Sequence, residues 1–185
     1  RFTPKSVFID VDEPSVRFVM QVGNAEYRHG GMWQAPEIGT EQAIRTRATR
    51  FLVFDIYAAG ALTMMGLYHI LVHIMRKNDK SVAYFSLICV CFAARSLTLG
   101  EMAIARIWPS LGWEFTVRLM YATSAAMVPL GILFIYQLYP GEASKTPAKI
   151  SVIAYFVTAA VVVICPIKFV SRFMYLYQCL CALPV

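Results

Sequence analysis

The sequence predicts a mostly α-helical membrane protein, a bundle of transmembrane helices preceded by the last strands of a β domain. The chain is 58% hydrophobic and 15% charged, whereas soluble domains carry about 45–50% apolar and about 25% charged residues. Long apolar stretches recur from residue 51 onward, while part of the preceding segment alternates between apolar and polar positions. The surplus of apolar side chains exceeds what 185 residues can bury, so much of it must face lipid.

Residues 1–39 are interpreted as the C-terminal part of a β domain. Residues 7–11 form a short β-prone run, and residues 16–22 alternate with the period of two that is typical of a half-buried strand. The glycine-containing stretch 23–31 is typical of a loop. Two strands do not make a stable domain alone. Since no signal peptide begins at Arg1 and the chain ends within an apolar stretch, we expect a segment of a longer protein.

Residues 40–50 form a predicted linker helix. Thr40 is a suitable N-cap before Glu41. Three arginines, Arg45, Arg47 and Arg50, lead directly into the first apolar stretch. This charge pattern predicts a linker that lies at the membrane surface.

Four full transmembrane helices and a truncated fifth are predicted after the linker. Each full stretch is close to the roughly 20 residues needed to cross about 30 Å of hydrocarbon. The predicted spans cover residues 51–75, 82–104, 115–138 and 150–167, and the truncated one covers residues 169–185. Short loops predict antiparallel, packed neighbours. Pro129 is expected to kink the third helix or to leave a gap that neighbouring helices fill.

Charged residues inside the spans are candidates for function. Arg95 lies near the centre of the second predicted span, where it costs about 3 kcal/mol and nearly offsets the apolar residues around it. We therefore expect Arg95 to face the bundle. Asp55, Glu101 and Arg118 lie about one turn from the span ends on the same membrane face. We expect a polar layer in which Arg118 pairs with Glu101 or Asp55, acting either as a joint that transmits motion or as a stabilising ion pair.

Two histidines and several small residues mark other faces of the first span. His69 and His73 share one helix face, and we expect polar packing or an interfacial position because no third metal ligand is evident. Gly60 and Gly66, with the nearby alanines 58, 59 and 61, predict a surface for close helix packing.

Several classes of function are excluded or disfavoured. The net charge of +6 is scattered at the ends of apolar runs, whereas nucleic-acid binding needs a gathered basic surface. The five cysteines all lie in apolar stretches and are expected to be small buried hydrophobes. No catalytic constellation, phosphate-binding glycine loop or zinc-type spacing is present. We therefore expect this segment to hold no catalytic residue, metal or cofactor.

A set of short motifs resembles one family along essentially the whole chain. The motifs before the first span are Gln21-Val22-Gly23-Asn24, Tyr27-Arg28-His29-Gly30-Gly31-Met32-Trp33 and Glu37-Ile38-Gly39-Thr40. Those within the apolar region are Met65-Gly66-Leu67-Tyr68-His69, Arg76-Lys77-Asn78-Asp79-Lys80, Arg95-Ser96-Leu97, Gly100-Glu101 and Leu138-Tyr139-Pro140. In order and spacing the chain resembles the bacterial seven-transmembrane receptors with diverse intracellular signalling modules.

The resemblance implies a receptor in the bacterial cytoplasmic membrane. In that family an extracellular jelly-roll sensor precedes seven helices, and a cytoplasmic cyclase, kinase or phosphatase module follows. By this pattern the N-terminus is extracellular or periplasmic, a placement that the nearly balanced Lys and Arg residues do not decide. A small-molecule ligand is implied, and a carbohydrate stacking on Trp33 is one candidate. Signalling through helix movement is also compatible with a homodimer.

Two other functions stay open from the sequence. A transporter or intramembrane enzyme would use Arg95, Glu101, His69 and His73 around a site at the membrane midplane, although matched repeats and broken helices are not evident. A scaffold subunit would bind no ligand and would tolerate loss of the polar layer.

Overall fold

A computed structural model describes residues 6–10, 17–20, 35–76, 79–100, 102–139 and 145–182. These residues contain six helices, which we number α1 to α6 in chain order. The helices are α1 (Glu41–Met75), α2 (Lys80–Thr98), α3 (Ala103–Ile107), α4 (Trp113–Leu138), α5 (Lys145–Ile164) and α6 (Ile167–Ala182). The mostly helical prediction is confirmed.

The N-terminal β domain stays a prediction. The described parts of it, residues 6–10 and 17–20, contain no strand. The remainder of the two predicted strands and the loop up to Trp33 lie outside the described residues.

Helix α1 joins the predicted linker and the first predicted span into one element. Thr40 is its N-cap, as expected, and the Thr40 Oγ1 atom accepts a hydrogen bond from the Ala43 amide at 3.4 Å. The helix then continues for 35 residues without a break. At 1.5 Å per residue it is about 52 Å long, roughly 20 Å more than the hydrocarbon of a bilayer. Its N-terminal turns therefore extend beyond the membrane instead of forming a separate linker.

The side of α1 that faces the bundle follows a regular spacing. Its buried and half-buried positions are separated alternately by three and four residues, and include Leu52, Asp55, Ala59, Leu62, Gly66, His69 and His73. This spacing keeps one seam of a helix against an antiparallel neighbour. The remaining faces carry exposed large apolar residues such as Phe54, Tyr57, Met64 and Leu71. In a membrane protein those faces meet lipid or further helices.

Small residues let α1 and α2 approach closely. Gly66 of α1 is buried, and a Cβ atom at this position would lie 3.2 Å from Val90 Cγ2 and 3.4 Å from the Ser86 carbonyl. The Ser86 hydroxyl donates to the Gly66 carbonyl at 3.0 Å. The predicted small-residue surface is thus correct at Gly66. At Gly60, which is exposed, no described atom lies within 4 Å of an added Cβ, because Gly60 lies off the seam with α2, and close packing there stays a prediction.

Asp79 is the last residue of the loop between α1 and α2 and the N-cap of α2. Its carboxylate caps α2 by accepting from the Ser81 amide at 3.1 Å, and it also accepts from the Ser81 hydroxyl. This hydroxyl is the main cause that lowers the pKa of Asp79 below its ordinary value of 3.8. The Asp79 carbonyl accepts from His73 Nδ1 at 2.9 Å. The cap is therefore charged at neutral pH and tied to the last turn of α1.

Helix α2 ends earlier than the sequence predicted. The expected span reached residue 104, but α2 stops at Thr98. Gly100 then adopts a φ of 60° and Met102 a φ of 49°, and this left-handed backbone cannot continue a right-handed helix. The chain turns into α3, whose first residues Ala103 and Ile104 are buried. The second span is therefore shorter than predicted, and α3 is a separate short helix that packs at its end.

Helix α4 is central to the packing of the bundle. It contacts α2, α3, α5 and α6, whereas among the described residues α1 packs on α2 and α3 alone. Pro129 lies inside α4 and is buried without ending the helix. On the α5–α6 side, a core is formed by Ala125, Val162, Val170 and Tyr177. Among the described helices, α1 is therefore connected to α5 and α6 through α2, α3 and α4.

Among the described residues, three helices are long and apolar enough to cross a bilayer. They are α1, α2 and α4, and the segment Lys149–Ile164 of α5 is a shorter apolar helix. Helix α5 ends before the predicted limit of residue 167 because Pro166 cannot continue its hydrogen bonds. Helix α6 then begins at Ile167, two residues before the predicted start.

Candidate functional site

We call the membrane face at which α1 enters the bundle the N-side face. Helix α1 leaves this face, α2 returns to it, and α3 together with the beginning of α4 lies there. The end of α5 and the start of α6 meet at the same face. Of the candidate intramembrane residues Asp55, Arg95, Glu101 and Arg118, the structure describes Asp55, Arg95 and Arg118, and all three lie toward the N-side face. Glu101 lies outside the described residues.

Arg95 faces the bundle, as expected, but it does not lie near the centre of its helix. Because α2 stops at Thr98, Arg95 is in the last turn. Its guanidinium donates to the Ser124 hydroxyl of α4, and Ser124 in turn donates to the Met120 carbonyl at 2.7 Å. A cation is favoured near the C-terminus of a helix. Its cost in the membrane is therefore lower than the central position implied.

Asp55 meets the turn that ends α2. A Cβ atom at Gly100 would lie 2.8 Å from Asp55 Oδ2, so a glycine is needed for this close approach. Asp55 Oδ2 is buried and has no hydrogen-bond partner among the residues that the structure describes, and the same holds for Thr116 Oγ1 of α4. Two unpartnered polar atoms thus lie on α1 and α4, the helices that flank the α2–α3 turn.

Arg118 bonds to a helix end that the sequence did not indicate. Its guanidinium donates to the carbonyl of Val162 and, at 2.8 Å, to the carbonyl of Val163, both in the last turn of α5. Pairing of Arg118 with Asp55 is wrong, since Asp55 Oδ2 is unpartnered and Arg118 bonds to α5. The reason is that Arg118 lies on the α5 side of α4, while Asp55 lies beneath the α2–α3 turn. Pairing with Glu101 stays a prediction.

The common depth of these residues agrees with the helix register. Helices α2 and α4 are antiparallel, since Phe85 packs on Phe134 with ring centroids 5.9 Å apart and Arg95 bonds to Ser124. From the Arg95–Ser124 contact toward the N-side face, α2 leads to the turn at Gly100, and α4 leads to Arg118. The depth that the sequence indicated is therefore retained, although Arg118 does not pair with Asp55.

The two histidines lie at the opposite end of the bundle. His69 Nδ1 donates to the Met65 carbonyl at 2.8 Å, and the ring packs edge-on against Phe85. His73 Nδ1 donates to the Asp79 carbonyl. The His69 ring is thus held toward the N-terminal part of α1, and the His73 ring is held toward the loop that follows α1. Both fit polar packing roles, and their rings point apart.

The structure also contains polar contacts that sequence analysis missed. Ser124 receives the bond from Arg95, Ser86 joins α2 to α1, and the buried Tyr177 hydroxyl donates to the Ala125 carbonyl at 2.7 Å. The available signal was a hydroxyl-bearing residue within an apolar span. Such residues mark helix contacts because an unpaired hydroxyl in hydrocarbon is costly.

No reactive constellation is formed by the part of the chain that the structure describes. Within it, no group of three or more His, Cys, Asp or Glu side chains could hold a metal ion. Cys89 is buried, Cys91 and Cys165 are half-buried, and all three are free thiols. The arrangement joins helices by hydrogen bonds, and it is suited to passing movement between them.

The fold and its internal charges define a multi-pass membrane protein built around a packed helical bundle. Residues 52–185 match the model of the family described as 7TM diverse intracellular signalling. The chain belongs to this family of membrane receptors. No curated protein and no solved structure matched the chain.

Proposed function

We propose that this chain is the membrane-spanning part of a bacterial signalling receptor that carries a signal from an N-terminal β sensor to a cytoplasmic output module. The family match supports the receptor class. The observation that carries the mechanism is the unbroken 35-residue helix α1, which joins the segment outside the bundle to the opposite membrane face. A continuous helix transmits rotation or displacement along its length, whereas a flexible linker absorbs it.

The route of the signal follows from the packing. Movement of α1 acts on α2 along their close seam and on α3 at the N-side face. Both elements pack on α4, which holds α5 and α6. The sensor ligand in this proposal is a small molecule, for which a carbohydrate is one candidate. The output module is a cyclase, kinase or phosphatase, and any enzymatic activity of the intact protein resides in that module. A homodimer is compatible with the proposal.

The transporter or intramembrane-enzyme alternative receives no support from the geometry. It requires Arg95, Glu101, His69 and His73 around one midplane site, and all of these except Glu101 are described. Arg95 lies in the last turn of α2, whereas His73 bonds to Asp79 at the start of α2. Sixteen residues of helix separate these positions, about 24 Å. The structure therefore does not gather these side chains into one site.

Insertions in α1 test the coupling. The sequence encoding the residues after 185 is read first, and the activity of the module it encodes becomes the readout. One to four alanines are then inserted after Thr49 in the complete protein. Each added residue rotates the two halves of the helix by about 100°. We expect basal output to change with one or two alanines and to return toward the original level with four.

The matched control uses the same insertions between Glu37 and Ile38, which precede the helix. These insertions leave the phase of α1 unchanged and should give no periodic effect. Output that is insensitive to phase in α1, or a downstream sequence without any output module, contradicts the proposal.

The proposed orientation has its own test. With the N-terminus outside the bacterial cytoplasmic membrane, a cysteine replacing Thr40 should react with a membrane-impermeant maleimide added to intact spheroplasts. A cysteine replacing Arg76 should react only after the cells are opened. Labelling in the reverse order contradicts the orientation while leaving the family and the bundle unaffected.

A further inference from the structure

Helix α5 ends with carbonyl groups that lack their usual donors. In an α-helix, the carbonyl of Val162 would accept from the amide of residue 166, but that residue is Pro166, which has no N–H. The carbonyl of Val163 lies in the same final turn, which ends at Ile164. Buried carbonyls without partners are costly, so such groups are normally satisfied by a side chain or water.

Arg118 of α4 supplies the missing donors. Its guanidinium donates to both carbonyls, and a cation at this position is also favoured by the dipole of α5. Val162, Ile167 and Val170 around the α5–α6 joint are buried. The Pro166 carbonyl accepts hydrogen bonds from the amides of Phe169 and Val170. These bonds form the first turn of α6. One side chain from α4 thus holds the end of α5 directly beside the start of α6.

We propose that Arg118 is a positioning residue that clamps the α5–α6 joint to α4 and controls how movement of α4 is passed to α5 and α6. The regulatory part of this proposal, which is the control of movement passed from α4 to α5 and α6, rests on the proposed receptor function. The clamp itself does not, because it follows from the hydrogen bonds and from Pro166. The contact is suited to a switch since it joins two helices through one flexible side chain.

Cys165 provides a direct probe of the joint. This free, half-buried thiol lies between α5 and Pro166. The complete protein is placed in lipid nanodiscs, and the rate at which Cys165 reacts with a maleimide is followed by peptide-resolved mass spectrometry. Arg118→Met should raise the rate about tenfold, since bonds from a charged donor are lost. Arg118→Lys keeps one cationic donor and should give a smaller increase. Arg50→Met, on an exposed arginine of α1, is the matched control and should leave the rate unchanged.

A second substitution separates the clamp from a general loss of stability. Pro166→Ala restores an amide at residue 166 that can donate to the Val162 carbonyl. Combined with Arg118→Met, it should bring the reaction rate of Cys165 back toward the original value. If Arg118→Met does not yield folded protein, Arg118→Lys with and without Pro166→Ala carries the same comparison.

The outcomes distinguish the clamp from its role in signalling. An unchanged Cys165 rate in the folded Arg118 variants, or no rescue by Pro166→Ala, overturns the clamp. A raised and rescued rate with altered basal output supports the whole proposal. A raised and rescued rate with unaltered output overturns the regulatory part alone, and this result is independent of the insertion test on α1.

Discussion

Replacing Gly66 by Val is expected to force α1 away from α2 and to lower the free energy of unfolding by about 2–4 kcal/mol. The first added carbon would lie 3.2 Å from Val90 Cγ2 and 3.4 Å from the Ser86 carbonyl, so the two further methyl groups of Val have no space. Separation of the helices also breaks the hydrogen bond from Ser86 to the Gly66 carbonyl. Unfolding in detergent, followed by far-ultraviolet circular dichroism, measures the loss.

The matched control for this variant is Gly60→Val. Gly60 lies on the same helix, and an added Cβ there meets no atom within 4 Å. The two variants therefore change helix propensity equally, and they differ only in the neighbour. Equal stability of the Gly66 and Gly60 variants would show that α1 and α2 do not approach as closely as described. Val90→Ala should partly restore a milder variant, Gly66→Ala, because it removes the nearest methyl group.

Replacing Gly100 by Ala is expected to destabilise the N-side face by about 1–3 kcal/mol. The φ of 60° at Gly100 is strained for any residue with a Cβ atom, and that atom would lie 2.8 Å from Asp55 Oδ2. The α2–α3 turn must therefore open or Asp55 must move. Thermal unfolding in detergent measures the change in stability, and trypsin cleavage after Arg106 reports opening of the turn.

The double variant Asp55→Ala with Gly100→Ala separates the two causes. Removal of the carboxylate relieves the close contact but leaves the backbone strain, so only part of the loss should be recovered. Gly131→Ala in α4 serves as the control, because its added Cβ meets nothing within 4 Å and alanine favours a helix. If Gly100→Ala were as stable as Gly131→Ala, the left-handed turn after α2 would be incorrect.

Local sequence signals predicted several parts of the bundle. Thr40 followed by Glu41 is a local capping pattern, and the apolar stretches gave helices of nearly the expected bounds for α1 and α4. The shared depth of Asp55 and Arg118 followed from counting along helices, since each residue advances by a fixed 1.5 Å. The bounds of a helix and the depth of a residue along it can therefore be predicted from the sequence.

Other parts depend on geometry that no local pattern contains. The apolar run around Gly100 permits a continued helix, and the approach of Gly100 to Asp55 and the burial of α3 are contacts between elements that lie apart in the sequence. The partner of Arg118 depends on which side of α4 it occupies, and that direction is set by packing against α5. Gly60 and Gly66 are alike in sequence, yet only Gly66 falls on the seam with α2.

The hydrogen bonds that join the helices have a consequence for the way this protein can change over time. Ser86, Arg118 and Tyr177 all donate to main-chain oxygens, at Gly66, Val162, Val163 and Ala125. A main-chain oxygen is present whatever side chain occupies the position. These hydrogen bonds therefore constrain the donor residues and not the side chains at the accepting positions, which are held instead by their own packing, as Gly66 is against Val90. A search for paired substitutions would not detect such contacts.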